Sequence, residues 1–335
     1  MPTSIAVIYN RPQTNPLLNR NEQAAEEGVL TEVDAASKAL QSLGYKVEII
    51  PLELPLNRAF EQLAQIKADL IFNLFEGFGG YPETEYLIAQ ELESLKFCYT
   101  GAPSKALKLA LNKASAKKLL HKEGIRTPAF QLLDKENLKE FNLNFPCIIK
   151  PNYEDASHSI NSNSVVENQI LLEQRVIEIS TLYNTKALVE EYIDGREFNI
   201  TIMGNKLPIP LSISEICFTL PEGTPKILSY KAKWDTESIY YKGTQPQCPA
   251  DLDTDTKELI IETAVRTYSV TGCRGYARVD MRMDKNGNIY VLEINPNPDI
   301  SPDAGASLQA KASGMDYAAF INKIVQLATE KGIDY

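Results

Sequence analysis

Hydrophobic positions along this chain fall into short runs with two different spacings. Residues 4–10 ("SIAVIYN"), 45–52 ("YKVEIIPL"), 68–77 ("ADLIFNLFEG") and 96–101 ("KFCYTG") are apolar stretches of strand length. Between them, 26–44 and 82–95 carry apolar residues at helical spacing, with Gly44 as a stop. Strands alternating with helices predict a doubly wound parallel sheet. Polar residues at the ends of such strands, Glu76 and the "NRPQTNP" loop among them, are placed to line a ligand crevice. Farther on, 104–128 reads as one basic helix closed by a glycine and a proline, and its lysines read most simply as a solvated face. Residues 144–152 form a buried strand carrying Lys150, a polar stretch follows, and 186–204 reads as two strands around an Asp194–Gly195 turn.

The clearest local pattern is "RVDMRMDKNGNIYVLEINPNPD" at 278–299. Asn286–Gly287 is a strong signal for a two-residue hairpin turn. That turn pairs Lys285 with Asn288, sets Asp280 opposite Glu293 and sets Arg278 opposite Asn295. Alternation along the strands puts all four side chains on one face. Like charges directly opposite are destabilising, so something should compensate. Arg278 in a partly solvated cluster is one answer. A divalent cation is the other, because two carboxylates and an amide carbonyl are the hard oxygen donors that Mg²⁺ takes alongside waters and phosphates. An adjacent arginine then suits a phosphate or a developing oxyanion.

Composition narrows the field. The chain has 335 residues, room for two or three domains, and is 44% apolar and 23% charged. A net charge of −10 argues against nucleic acid or an anionic membrane as partner. No apolar run is long enough to span a bilayer, and "MPTSIAVIYN" starts a strand rather than a signal peptide, so a cytoplasmic location is expected. Five scattered cysteines without a CxxC pair read as reduced and structural. There is no GxSxG, HExxH or Walker-type loop.

The segments "YTGAPSKALKLALNKASAKKLL", "FPCIIKP", "LVEEYIDGREFNITIMG", "KAKW" and "GCRGYARVDMRMDKNGNIYVLEINPNPD", in this order and with the terminal "GMDYAAFINKIVQLA", resemble the ATP-grasp superfamily, in its D-alanine–D-alanine ligase-like branch. The resemblance covers nearly the whole chain. It implies an α/β and α+β architecture: an ATP-grasp fold behind an N-terminal doubly wound domain. That domain, Rossmann-like and substrate-binding, would span 1–104, with a central ATP-grasp subdomain over 105–190 and a C-terminal one over 191–335. By the same resemblance Lys113 and Lys150 hold the phosphates of ATP, with Lys233 as a further lysine. Glu190, Glu191 and Ile193 form the segment that reads the adenine edge, and Glu197 takes the ribose hydroxyls. Asp280, Glu293 and Asn295 hold two Mg²⁺ ions, or Mn²⁺, and Arg278 and Ser157 act beside the transferred phosphate. A homodimer is also implied. The implied chemistry is ATP-dependent carboxylate–amine ligation. Phosphoryl transfer turns a poor acyl donor into an acyl phosphate, which an amine attacks.

The sequence departs from the D-alanine ligase pattern on the amino-acid side. The loop after Lys150 reads "NYEDASHSI", keeping Ser157 but with Ala156 before it. Trp234 stands where a tyrosine is expected, Asp299 where a glycine N–H would donate, Ala304 where a serine would hold the product carboxylate, and Phe75, beside Glu76, where a histidine would stand. Glu76, Trp234 and Asp299 are therefore the candidate substrate residues. The expected function is a ligase joining an amino acid to another small molecule, both small-molecule carboxylate and amine substrates. The alternatives are a D-alanine–D-alanine ligase, a ligase adding an amino acid to mycosporine-glycine, and a non-catalytic nucleotide-binding protein.

Overall fold

The computed structural model describes residues 2–12, 20–153, 161–229, 232, 235 and 237–330, with the backbone alone for 20–27 and 162. The chain opens with β1 (Ser4–Asn10), α1 (Arg20–Ser42), β2 (Lys46–Leu52), α2 (Leu56–Gln65), β3 (Leu70–Leu74) and α3 (Thr84–Ser94). The strands form a parallel sheet in the order β2-β1-β3. Strands β1 and β3 are apolar on both faces because both faces are covered. Val7 and Phe72 pack towards Val33 and Leu40 of α1, while Ile8 and Ile71 pack on the side of Leu63, Ile88 and Leu92. Residues 96–101 do not add the strand that their composition predicts. They contribute one bridge, Tyr99 beside Ile71, after a left-handed residue at Lys96 (φ 59°).

The basic stretch folds as two helices rather than one, α4 (Ser104–Leu111) and α5 (Lys113–Lys122). Asn112 breaks the helix at φ −92°, ψ 88°, and its side chain caps α5 by accepting from the Ser115 N–H at 3.0 Å. Asn152 completes the junction: its carbonyl accepts from Lys113 N–H at 3.1 Å and its Oδ1 from Ala114 N–H at 2.9 Å.

A second sheet is built from β4 (Phe130–Leu133), β5 (Cys147–Pro151), β6 (Val165–Val166) and β7 (Ala187–Glu191), in the antiparallel order β4-β7-β5-β6, with α6 (Gln169–Leu182) closing a small core of its own. The third sheet comprises β8 (Arg196–Met203), β9 (Ile209–Pro210), β10 (Ser214–Phe218), β11 (Thr244–Gln247), β12 (Tyr276–Met283) and β13 (Ile289–Asn295), with α7 (Ile239–Lys242) and α8 (Thr254–Val270) between strands. Its order is β11-β10-β8-β12-β13, with β9 on β8. The two strands flanking Asp194–Gly195 therefore lie in different sheets and are not a hairpin. Gly195 passes so close to the Met283 carbonyl that a β-carbon would have no room. After α9 (Gly305–Ala312), α10 (Tyr317–Ala328) returns to the first sheet, where Phe320, Ile321 and Ile324 share a core with α1.

Ala277, Val279 and Met281 point into the core with Ile200, Ile260 and Leu120. Alternation turns Tyr276, Arg278, Asp280 and Arg282 to the opposite face.

The β12–β13 pairing sets Asp280 opposite Glu293 and Arg278 opposite Asn295, as expected, but reaches that register by another route. The turn spans residues 285–287, not two residues: Asp284 pairs with Asn288, and Gly287 sits left-handed at φ 80°. The Asp284 carboxylate selects the longer loop by accepting from the Asn286 N–H at 2.8 Å and the Asn288 N–H at 2.9 Å. A bulge between Asp280 and Met281, with Leu292 as the additional residue on β13, then restores the expected pairs.

Candidate active site

The hairpin face carries the predicted charge cluster. Arg278 grips Asp280 with two bonds, Nε to Oδ1 at 2.7 Å and Nη2 to Oδ2 at 2.8 Å. Asn295 Nδ2 donates to Asp280 Oδ2 at 2.9 Å. Glu293 is compensated from elsewhere: Lys113, at the start of α5, lies 2.9 Å from its Oε2. Lys113 holds the Glu293 carboxyl well below the usual carboxylate range, with Lys150 and Arg278 adding to the effect against the opposing influence of burial. Glu293 is thus ionised at any physiological pH.

Lys150, on β5, pairs with Glu190 Oε2 at 3.0 Å, and a lysine that sequence reasoning passed over, Lys117, lies 2.7 Å from Glu190 Oε1. All three side chains are buried. Burial pushes the Glu190 carboxyl up, but Lys117 and then Lys150 outweigh it and the net shift is downward. Burial lowers Lys117 to about 8, which leaves it mostly charged at neutral pH. The solvated-face reading of the basic helix fails here. Lys113 and Lys117 point inward, one turn apart, while Lys118 and Lys122 stay exposed.

The other residues expected on the adenine and ribose side separate. Glu191 turns to the other face, where its Oε1 accepts from the Asn144 N–H at 3.0 Å and Nδ2 at 2.7 Å. The Ile193 carbonyl accepts from Arg282 Nη1 at 2.8 Å. Glu197 Oε2 takes Arg282 Nε at 3.0 Å and Nη2 at 2.6 Å. Arg282 also was not foreseen. Its signal was available, since it continues the 278–280 alternation, but its partner depends on the β8–β12 pairing, which no local pattern reveals.

Of the predicted substrate residues, Glu76 and Asp299 are exposed, and both act on a third carboxyl. That carboxyl is Glu32 of α1, buried and accepting from the Ile300 N–H at 2.9 Å. Burial raises its protonation range, and Glu76 and then Asp299 raise it further. Tyr276 and Tyr317 border the same cluster. Ser157, Lys233 and Trp234 lie outside the described residues.

Glu32→Gln should stabilise the chain. With the folded-state value raised, the folded carboxyl is at its most favourable at low pH and loses ground as pH rises above the unfolded value of about 4.3. A glutamine keeps the acceptor for Ile300 and removes that loss. Its advantage should grow from pH 5 to pH 8, and about 1 kcal/mol would read as a Tm rise of about 2 °C in differential scanning fluorimetry. A lower Tm at pH 8 would show that the carboxylate is itself stabilised.

The donor set fits a Mg²⁺–nucleotide. Among the described residues no group of three or more His, Cys, Asp or Glu is gathered for a metal. The hairpin instead offers two carboxylates and an amide, the sparse protein share usual when phosphates complete the shell. Also among the described residues, no helix is long and apolar enough to cross a membrane.

Comparison with known proteins agrees with this architecture. A family profile described as "D-ala D-ala ligase C-terminus" matches residues 119–326. A protein of Sinorhizobium fredii described as uncharacterized is 33% identical over 303 residues, covering 88% of this chain and 86% of its own length. The D-alanine–D-alanine ligase of a Marinomonas species is 30% identical over 336 residues, covering 98% and 96%. Among solved structures, the D-alanine–D-alanine ligase of Bacillus anthracis complexed with ATP superposes with a TM-score of 0.73 at 24% identity, over 97% of this chain and 96% of that one. The VanG D-Ala:D-Ser ligase of Enterococcus faecalis does so with a TM-score of 0.77 at 22% identity, over 98% and 100%. The fold is that of an ATP-grasp ligase. The chain belongs to the D-alanine–D-alanine ligase family.

Proposed function

We propose that this ATP-dependent carboxylate–amine ligase binds ATP between the second and third sheets and joins an amino acid to a small molecule other than D-alanine. The observation that carries the nucleotide half is the meeting of Lys113, Lys150, Arg278, Asp280, Glu293 and Asn295 around one hairpin face. On this reading Asp280, Glu293 and Asn295 hold Mg²⁺, or Mn²⁺, which when bound neutralises charge on the phosphates. Lys113 and Lys150 trade their carboxylate partners for phosphate oxygens. Arg278 releases Asp280 and faces the transferred phosphoryl group, where a fixed guanidinium stabilises the developing charge. The family resemblance assigns Ser157 and Lys233 to the same step. The base lies along 190–193, and Glu197, oriented by Arg282, meets the ribose. The reading divides the chain into domains at about 104 and 190, which the three separate sheets support. A homodimer and a cytoplasmic location rest on family membership alone.

The substrate half is read from Glu32, Glu76 and Asp299, and the family resemblance assigns Trp234 to it as well. The two exposed carboxylates favour an amino or cationic group there and disfavour a free carboxylate.

Lys150→Ala and Lys113→Ala test the nucleotide half. Each removes a charge-assisted contact of about 1.5–3 kcal/mol, so ATP should bind roughly tenfold to a hundredfold more weakly by calorimetry, with substrate preference unchanged. ATP binding at wild-type strength in Lys113→Ala would leave that lysine as a partner of Glu293 only.

A further inference from the structure

We infer that Lys117 is a positioning residue that fixes the metal-side carboxylate, Glu293, relative to the base-side carboxylate, Glu190; this rests on the nucleotide site proposed above. Its ammonium has three near neighbours and three protons to give. It lies 2.7 Å from Glu190 Oε1, donates to Thr127 Oγ1 at 2.9 Å and donates to the Leu292 carbonyl at 2.9 Å. Its side chain is 2% exposed.

Leu292 is the bulge residue, immediately before Glu293. A bulge leaves a main-chain group outside the ladder, and a buried carbonyl without a donor is costly. Here the donor is Lys117. The clasp continues on the neighbouring residue: Thr127 Oγ1 donates to the Val291 carbonyl at 2.9 Å, and the Arg126 carbonyl accepts from the Val291 N–H at 2.9 Å. Lys117 and the 126–127 segment thus hold the two residues that lead into Glu293. One helical turn earlier, Lys113 holds the Glu293 carboxylate itself. The helix α5 sets a spacing of about 6 Å between these two lysines, and so ties the phosphate end of the site to the base end.

A buried lysine–carboxylate pair gives little net stability compared with an apolar pair of similar shape. Neutralising Glu190 would also need only Lys150. The third contact, on the bulge carbonyl, is what a purely compensating charge would not require.

The test compares ATP affinity with Mg²⁺ and with EDTA, by calorimetry, alongside Tm without nucleotide or metal. Lys117→Met alone leaves Glu190 Oε1 and the Leu292 carbonyl without their donor and lowers Tm. Pairing it with Glu190→Gln removes that bare anionic oxygen and leaves Lys150 an amide acceptor, so part of the Tm should return. In the paired variant the Mg²⁺-dependent gain in ATP affinity should still fall at least tenfold, because the bulge has lost its donor. Glu190→Gln alone keeps an acceptor for Lys117, so it should weaken ATP with and without Mg²⁺ alike and keep the gain. Thr127→Val, a milder change to the same clasp, should lower the gain a few-fold. An undiminished gain in both the paired variant and Thr127→Val would overturn the inference and leave Lys117 as a counter-charge. Loss of the gain in Glu190→Gln alone would overturn it too, by assigning the effect to charge. Absence of ATP binding in the wild type would overturn the nucleotide site first and the role of Lys117 with it.

Discussion

Glu293→Gln abolishes turnover and leaves the fold intact. The substitution keeps shape and removes one charge. Glu293 is the residue on which the hairpin, Lys113 and, through the bulge, Lys117 converge. Its carboxyl is held ionised by Lys113 above all, the state a Mg²⁺ ligand needs. Loss of residues that merely orient metal ligands costs about 10- to 100-fold, so loss of the ligand itself should cost more than about 100-fold in kcat. Circular dichroism should be unchanged, because Gln still accepts a bond from Lys113. Full activity in the variant would remove the hairpin from the mechanism.

D-alanine as sole substrate should release ADP slowly or not at all. The relatives named D-alanine–D-alanine ligase share about 30% of the sequence, but the positions that the family resemblance assigns to the amino acid differ here. Asp299 and Glu76 are two exposed acidic side chains that both act on the buried Glu32 carboxyl. A site built to satisfy one set of polar groups rejects analogues that leave them unpaired, often by a factor of about 10⁴. Steady-state ADP release with D-alanine, followed by mass spectrometry of the product, checks this. Efficient formation of D-alanyl-D-alanine would show that these substitutions leave the substrate unchanged.

Much of the fold was legible because its signals are local. The parallel N-terminal sheet follows from apolar runs alternating with helical spacing, and the hairpin from one Asn–Gly step. The hairpin also shows the limit. Asp284 and the bulge at Leu292 shift the pairing in opposite senses, so the expected register of Asp280 and Glu293 holds although the turn is one residue longer. The helix break at Asn112 escaped notice because its cause is Asn152, 40 residues away in sequence. Lys117 escaped for a similar reason: a lysine on a basic helix reads as solvated until the burying strand is known. Arg282 and Glu32 depend on partners across the fold, Glu197 and Ile300, which no spacing predicts. Lys113, Lys150, Asp280, Glu293 and Asn295 were named through the resemblance to family motifs, and the structure gathers them at one place. Their mutual compensation was not legible.

The most direct test of the ligase reading is positional. Pairs of amino acids and small amines are supplied with ATP and Mg²⁺, the carboxylates labelled with ¹⁸O, and the released phosphate is examined by mass spectrometry. The account predicts ADP release that requires both a carboxylate and an amine, with ¹⁸O carried from the carboxylate into phosphate. ATP binding without turnover for any pair, or phosphate free of label, would contradict it.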